Sequence, residues 1–365
     1  MTIAAIIAPL EKIAPLYLQE SYDNAGLLTG KKDWNCKGVL CTLDVTMGVM
    51  EEAIQHNCNL IIAHHPIIFS GLKKINGNNY VEEVTIAAIK NDIAIYAIHT
   101  NLDNIKTGVN GKMADTLGLQ NRFILQPKKQ LLLKLFTFVP KDHAEKLKAA
   151  LFAAGAGHIG NYSECSFSSE GIGTFKGDAA TNPFVGGINE RHAEKEVKLE
   201  VIFPVWLQQT ILTALKNNHP YEEVAYDIIS LSNEYAETGS GLVGELPEAM
   251  QETDFLRFLQ SSFGLKAIRH TPFLGKPIKK VALCGGAGSF LIKNAIACNS
   301  DIYISSDIKY HEFFDANGQL LITDIGHYES EQFTPELLVE ILKANFPTFA
   351  VLKSGVNTNP VQYFI

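Results

Sequence analysis

The chain has 365 residues, enough for two or three domains and a large buried core. It is 46% hydrophobic and 19% charged, and no segment combines low apolar content with one sign of charge, so no disordered tail is expected. A formal net charge of −8 argues against nucleic acid as a partner, while leaving room for one small anionic ligand held by a local site.

The first segment, MTIAAIIAPLEKIAPLYLQE, has no basic leader, and Glu11 and Lys12 interrupt its apolar run; it reads as an amphipathic helix rather than a secretory signal. No uninterrupted apolar run reaches the roughly 20 residues of a membrane crossing. The six cysteines are scattered without a CxxC pair, which suits reduced thiols. A soluble cytoplasmic protein without a membrane partner is expected.

Up to about Leu119, short aliphatic strands alternate with helical patterns. KGVLCTLDVT predicts a strand, TMGVMEEAIQHN a helix, CNLIIAHHP a strand, YVEEVTIAAIKND a helix and IAIYAIHT a strand. Near-continuous aliphatic strands between helices argue for a mainly parallel sheet covered on both faces. The last part repeats this pattern in KKVALCGG, SFLIKNAIACN, DIYISSD, GQLLITDIG and PELLVEILKANF.

The middle differs. QLLLKLFTFVP predicts a strand and KDHAEKLKAALFAAG a helix; NYSECSFSS, GIGTFKG and VKLEVIFP read as strands. VWLQQTILTALKNNHP reads as a helix and EEVAYDIISL as a closing strand. This is close to the split βαβ, ferredoxin-like pattern. The expected fold is therefore α/β: a discontinuous two-half α/β metal-binding domain, residues 1–129 and 236–365, interrupted by an inserted ferredoxin-like α+β domain at 130–235. Three domains in tandem is the alternative, disfavoured because both flanks share one pattern.

Four outer strands end in histidine and acidic residues: LIIAHHP (His64, His65), IAIYAIHTNLD (His99, Asp103), DIYISSDIKYHEF (Asp307, His311, Glu312) and LLITDIGHYESE (Asp324, His327, Glu331). Such ends converge on one edge of a parallel sheet, where ligand sites form. Imidazole with carboxylate suits Zn, Mn, Fe, Co or Ni, and the absence of clustered cysteines argues against a structural zinc site. Adjacent strand side chains point to opposite faces, and Pro66 biases His65 toward extended backbone, so His64 and His65 should diverge toward two ions. A helix starting near His327 would put Glu331 on the same face, placed to bridge them. Each feature has a simpler reading: His99 as a hydrogen-bonded half-buried residue, Asp103 as a turn or cap, Glu331 as an acid complementing a helix N-terminus. Four coincidences on strand ends favour the metal site.

These motifs, with SYDNAGLLTG, CGGAGSF, SSDIKYHEF and NTNPVQYFI, resemble the NIF-three-like family, also called GTP cyclohydrolase I type 2 homologues, over the whole length. The middle segment (AGAGHIGNYSECSF, GTFKG, HPYEEVAYDI) is similar to the PII- or CutA-like insert of the longer bacterial members. The resemblance implies two divalent metal ions per chain held by His64, His65, Asp103, His327 and Glu331, with Glu331 bridging, and assembly of trimers into a toroidal homohexamer.

A two-metal centre supports hydrolysis. His99 is a candidate for proton transfer or for supporting a ligand, and His311 for touching substrate or moving a proton. Lys309 is a candidate for an anionic substrate group, with a solvated lysine as its alternative. Gly286 and Gly288 in CGGAGSF could offer backbone N–H groups to a phosphate, or serve turn geometry only. Three functions follow: a metal-dependent hydrolase of GTP or a related heterocycle, a metal-binding regulator or adaptor with a ligand-sensing insert, and a phosphoesterase.

Overall fold

Runs of aliphatic residues too short for a helix become strands buried on both faces. The computed structural model describes residues 1–364. Its chain starts with helix α1 (Ile3–Ile13), whose first turn is capped by the Thr2 hydroxyl accepting from the Ala5 N–H. Then follow β1 (Gly26–Thr29), β2 (Val39–Thr42), α2 (Met47–Gln55), β3 (Leu60–Ala63), α3 (Tyr80–Lys90), β4 (Ala94–Ala97), α4 (Thr100–Asp103), α5 (Val109–Thr116) and β5 (Gln120–Lys129). Strands β2, β3 and β4 are parallel, with Thr42, Ala63 and Ala97 in register at one edge. Every residue of these three strands is buried, so alternation is absent and continuous apolar runs are required. Thr46 and Asn79 cap α2 and α3 with side-chain oxygens.

Lys128–Ala236 forms its own compact unit. It runs β6 (Leu132–Pro140), α6 (Ala144–Ala153), β7 (Ser166–Phe175), β8 (His192–Pro204), α7 (Gln208–Asn218) and β9 (Tyr226–Leu231). The antiparallel sheet has the order β7-β8-β6-β9. Leu133, Leu135, Val139, Val197, Leu199, Val201 and Phe203 pack on Leu147, Leu151, Ile211 and Leu215 of the two helices. The alternate residues, among them Phe138, Glu196 and Lys198, lie on the opposite face. NYSECSFSS and GIGTFKG were expected to form separate strands; they make one, Ser166–Phe175. Ten consecutive pairings with β8 outweigh the weak strand preference of Gly171 and Gly173.

Met1–Pro127 and Glu237–Ile365 belong to the other unit. Its later part holds β10 (Glu234–Met250), α8 (Glu252–Phe263), β11 (Arg269–His270), β12 (Ile278–Ala287), α9 (Ile292–Ala297), β13 (Ile302–Ser306), β14 (Leu321–Asp324), α10 (His327–Glu331), α11 (Thr334–Asn345) and β15 (Val351–Lys353). A six-stranded sheet has the order β11-β14-β13-β12-β10-β5, with β12, β13 and β14 parallel. Strand β15 crosses to the first sheet and pairs parallel with β2, giving that sheet the order β1-β4-β3-β2-β15. This crossing ties the two sheets together. No helix among the described residues is long and apolar enough to cross a membrane.

Candidate metal centre

The parallel strands deliver their C-terminal ends to one place. Backbone pairing carries on beyond β3, His64 N–H to the Thr42 carbonyl and His65 N–H to that of Leu43, which holds both residues in line with the strand. His64 is fully buried. Its Nδ1 is 2.8 Å from the Ile98 carbonyl, so Nδ1–H donates there and Nε2 presents a lone pair. That Nε2 lies 3.6 Å from Asp103 Oδ1 and 3.8 Å from Glu331 Oε1.

His65 turns to another neighbour set. Its Nδ1 donates to Asp44 Oδ1 at 2.7 Å, and its Nε2 sits 3.0 Å from Glu331 Oε2. His327, first residue of α10, has Nδ1 2.6 Å from Asp307 Oδ2 and Nε2 3.2 Å from the same Glu331 oxygen. The Nε2 atoms of His65 and His327, 262 positions apart in sequence, face each other at 3.3 Å. Glu331 thus offers one oxygen to each group, His64–Asp103 through Oε1 and His65–His327 through Oε2. His99, with Nδ1 2.7 Å from Asp23 Oδ1, has its ring 5.3 Å and 5.4 Å from those of His64 and His65.

Whether these residues fit a metal is decided by unpaired atoms. His64 Nε2 and Asp103 Oδ1 are buried without a hydrogen-bond partner, and Glu331 Oε2 has only the ring nitrogens of His65 and His327 beside it. Such atoms are costly to bury alone, and a divalent cation among them would satisfy them together. Three sets of ligand atoms, His65–His327–Glu331, His64–Asp103–Glu331 and His64–His65–His99, each lie close enough to hold one ion. Carboxylates or a carbonyl behind each Nδ1 fix the tautomer that a metal needs.

The electrostatics agree. Burial depresses His65, but Asp44 and Glu331 outweigh it and raise the imidazole to about 9. Burial works likewise against His327, while Asp307 and Glu331 lift it to about 11. His64 is lowered by burial. Burial and the Glu331 charge push Asp103 well up; Glu331, despite burial, is held well below the carboxylate range by His327, His64 and His65. Without a metal, protons on the imidazoles balance the carboxylates; a divalent cation would replace them.

Not every candidate residue arrives here. His311 lies in a 3-10 turn, Tyr310–Ala316, beyond β13. Both His311 and Lys309 are exposed, and neither lines the roughly 410 Å³ cavity beside the cluster. From that strand it is Asp307 that reaches the centre, because a left-handed backbone at φ 54° turns the chain just past β13. Gly286 does not present its N–H to a phosphate: that group donates to Ser330 Oγ at 3.0 Å. Its φ is +64°, and a Cβ there would come 2.5 Å from Glu331 Oε1, so glycine makes room for the carboxylate. Gly288 accepts from the Tyr303 hydroxyl at 2.7 Å and packs against Ser305, a structural turn.

Two supporting carboxylates, Asp23 and Asp44, were not assigned site roles from the sequence, and the third, Asp307, was named only as a strand-end acid. The signal for Asp44 was an aliphatic strand, VLCT, ending in an acid without a histidine. The C-terminal segment also reaches the centre: Thr358 Oγ1 donates to Asp44 Oδ2 at 2.6 Å, and Asn359 Nδ2 to Glu329 Oε1 at 3.1 Å. Asp44→Asn is expected to weaken metal affinity about 10–100-fold by releasing His65, with Thr358→Val milder in the same direction. Competition with a chromogenic chelator measures this; unchanged affinity in Asp44→Asn would contradict the orienting role.

Fold and cluster together define a two-sheet α/β protein with a buried histidine–carboxylate centre between strand ends. The chain belongs to the Duf34/NIF3 (NGG1p interacting factor 3) family, which matches residues 1–360. It is 39% identical over 363 residues to a GTP cyclohydrolase 1 type 2 homolog of Halalkalibacterium halodurans, covering 98% of each chain. A homolog of the same name from Bacillus subtilis is 38% identical over 364 residues, with 98% of this chain and 97% of that one covered. Among solved structures, a Bacillus cereus protein related to NIF3 superposes with a TM-score of 0.87 at 39% identity, covering 100% of this chain and 99% of the other.

Proposed function

We propose that this protein is a hydrolase that uses two divalent cations and acts on GTP or a related nucleotide or heterocycle. One observation carries the reading: the two oxygens of buried Glu331 face two separate groups of ligand atoms. His65 and His327 would hold one cation and His64 and Asp103 the other, with Glu331 shared. Imidazole and carboxylate suit Zn, Mn, Fe, Co or Ni. When bound, the pair would supply Lewis acidity for hydrolysis. The chain's own contribution is orientation and proton handling. Asp44, Asp307 and the Ile98 carbonyl fix the ligand tautomers, and Asp23, held down to about 2 chiefly by His99 and Thr100 against the cost of burial, keeps its charge beside His99. With Nδ1 held by Asp23 and its ring beside those of His64 and His65, His99 is assigned to proton transfer or ligand support at the centre.

The name carried by the relatives supports GTP as the first substrate to try. Formate release from GTP by metal-replete protein, absent in Asp103→Asn, is the expected result. Phosphate release instead would favour the phosphoesterase reading, and neither product would favour the regulator or adaptor.

Two structural proposals accompany this. Self-association into a toroidal homohexamer follows from the family resemblance and is tested by sedimentation mass. The unit Lys128–Ala236, with its βαββαβ order and antiparallel β7-β8-β6-β9 sheet, is proposed as an autonomous ferredoxin-like, PII- or CutA-like insert supplying no metal ligand. Replacing it by a short Gly/Ser linker is expected to leave a folded protein that keeps its metals, since loop closure costs little with length. Circular dichroism and elemental analysis check this; a folded but metal-free product would overturn it.

A further inference from the structure

The unit Lys128–Ala236 contains a cavity of about 660 Å³ lined entirely by its own residues. It lies on the sheet face that carries no helix, over β6, β7 and β8, and its walls are aromatic: Phe138, Phe175, Phe184 and Tyr221. The Phe175 and Phe184 rings stand 6.0 Å and 6.2 Å from that of Tyr221. Phe184 is 51% exposed, an apolar surface on the cavity lip that water solvates poorly.

Of the four carboxylates in the wall, Glu170, Glu196, Glu222 and Glu223, one is buried, Glu196 of β8 at 8% exposure. Oε1 accepts from the Tyr221 hydroxyl at 2.8 Å. Burial and the Glu196 carboxylate both push the Tyr221 phenol upward, so it keeps its proton and remains a donor. Oε2 lies over Gly173, where a Cβ would come within 1.9 Å; glycine there leaves space for the carboxylate. No salt bridge to Glu196 forms among the described residues. Two lysines line the cavity, Lys176 and Lys198, and neither is paired with Glu196; Lys198 donates to Glu200 at 2.9 Å and lies over the Phe136 ring at 4.4 Å, and Lys176 is exposed. Glu170, also in the lining, is paired with Lys141. A buried carboxylate with a hydroxyl partner but no cation costs free energy that an incoming cation would offset.

We propose that this cavity is a binding site for a small aromatic or heteroaromatic amine in its cationic form, its ammonium or N–H⁺ on Glu196 and its ring among Phe138, Phe175, Phe184 and Tyr221. Two features set that class. The carboxylate supplies a charge-assisted hydrogen bond, and the rings supply stacking and cation–π attraction. Such a site makes the unit a ligand-responsive module and goes beyond the proposed hydrolase.

The test uses the full chain, with tyramine as the cationic probe and 4-ethylphenol as its uncharged counterpart, followed by amide chemical shifts and calorimetry. Saturable tyramine binding is expected, with shifts confined to residues lining the cavity. 4-Ethylphenol should bind at least tenfold more weakly. Glu196→Gln, which preserves size and an acceptor for Tyr221, should lower tyramine affinity about tenfold or more, and Phe184→Ala severalfold. Glu331→Gln should leave it unchanged, which separates this site from the metal centre. The proposal is overturned if tyramine does not saturate at millimolar concentration, if the neutral probe binds equally well, or if Glu196→Gln binds like the parent.

Discussion

If Glu331 bridges two cations as proposed, Glu331→Gln is expected to reduce bound metal from two ions per chain toward none. The side chain is 3% exposed, and its two oxygens divide between His64 on one side and His65 with His327 on the other. An amide keeps the volume but removes the charge and half of the acceptor capacity, so both groups lose their common anionic ligand. By contrast, Asp103→Asn should empty only the group around His64, and His327→Ala only the group around His65. Elemental analysis of protein purified without chelators distinguishes these outcomes. Full occupancy in Glu331→Gln would sink the bridging role. Parent protein without metal, even after incubation with Zn or Mn, would sink the hydrolase reading altogether.

Metal-free and metal-loaded protein should respond oppositely to pH. In metal-free protein His65 is raised to about 9 and His327 to about 11, against an ordinary value of 6.5. A group that holds its proton more tightly when folded contributes stability fully below 6.5 and loses it as pH rises through its folded value. Metal-free protein should therefore lose stability between neutral pH and about 9, and further toward 11. The loss from His65 is on the order of a few kcal/mol. The share from His327, 39% exposed, is smaller than its shift suggests because solvent screens it. In the loaded protein the cations occupy the place of those protons. Its stability should hold through the same alkaline range and fall on acidification instead, as protons displace metal from the imidazoles. Thermal unfolding of both forms from pH 5 to 10 measures the two slopes. Parallel curves would contradict a shared proton and metal site.

Much of the α/β architecture was legible because burial imposes a strong pattern. Strands such as LIIA and AIYA are covered on both faces, so each must be aliphatic throughout, and helices between them carry their own caps. Elements without that pattern were missed or broken up: β10 was not read, and Ser166–Phe175 was read as two strands. Strand β10 runs through ETGSGLVGELPEAM with three glycines and a proline, and it exists because β12 pairs with it. The edge strand Ser166–Phe175 is exposed along most of its length and holds its shape through β8.

Within the centre, the strand-end pattern pointed to His64, His65, His327 and Glu331, although each feature had a simpler reading, and the ligand set came from the family resemblance; the structure brings these four residues together. The supporting acids carry no such mark. Asp44 is one acid among many until the fold sets it 2.7 Å from His65, and Thr358 is unremarkable until the C-terminal segment lies against Asp44. His311 shows the limit of reading by strand ends: it is close to one in sequence, yet past the left-handed Asp307 it lies exposed in the turn Tyr310–Ala316, outside the cluster.

What the amino-acid order determined by itself was local: which runs are buried on both faces, where helices start, and which strand ends bear ligand-type side chains. These follow from short-range periodicity and side-chain chemistry. Only the tertiary structure decided that two sheets meet through β15, that ring nitrogens 262 positions apart face each other, and that Glu331 divides its oxygens between two groups. It also decided that Glu196 of β8 is buried in a cavity wall beside aromatic rings, paired with the Tyr221 hydroxyl and with no salt bridge among the described residues. Distances of this kind depend on strand register and backbone turns accumulated over the whole chain, and no local pattern encodes them.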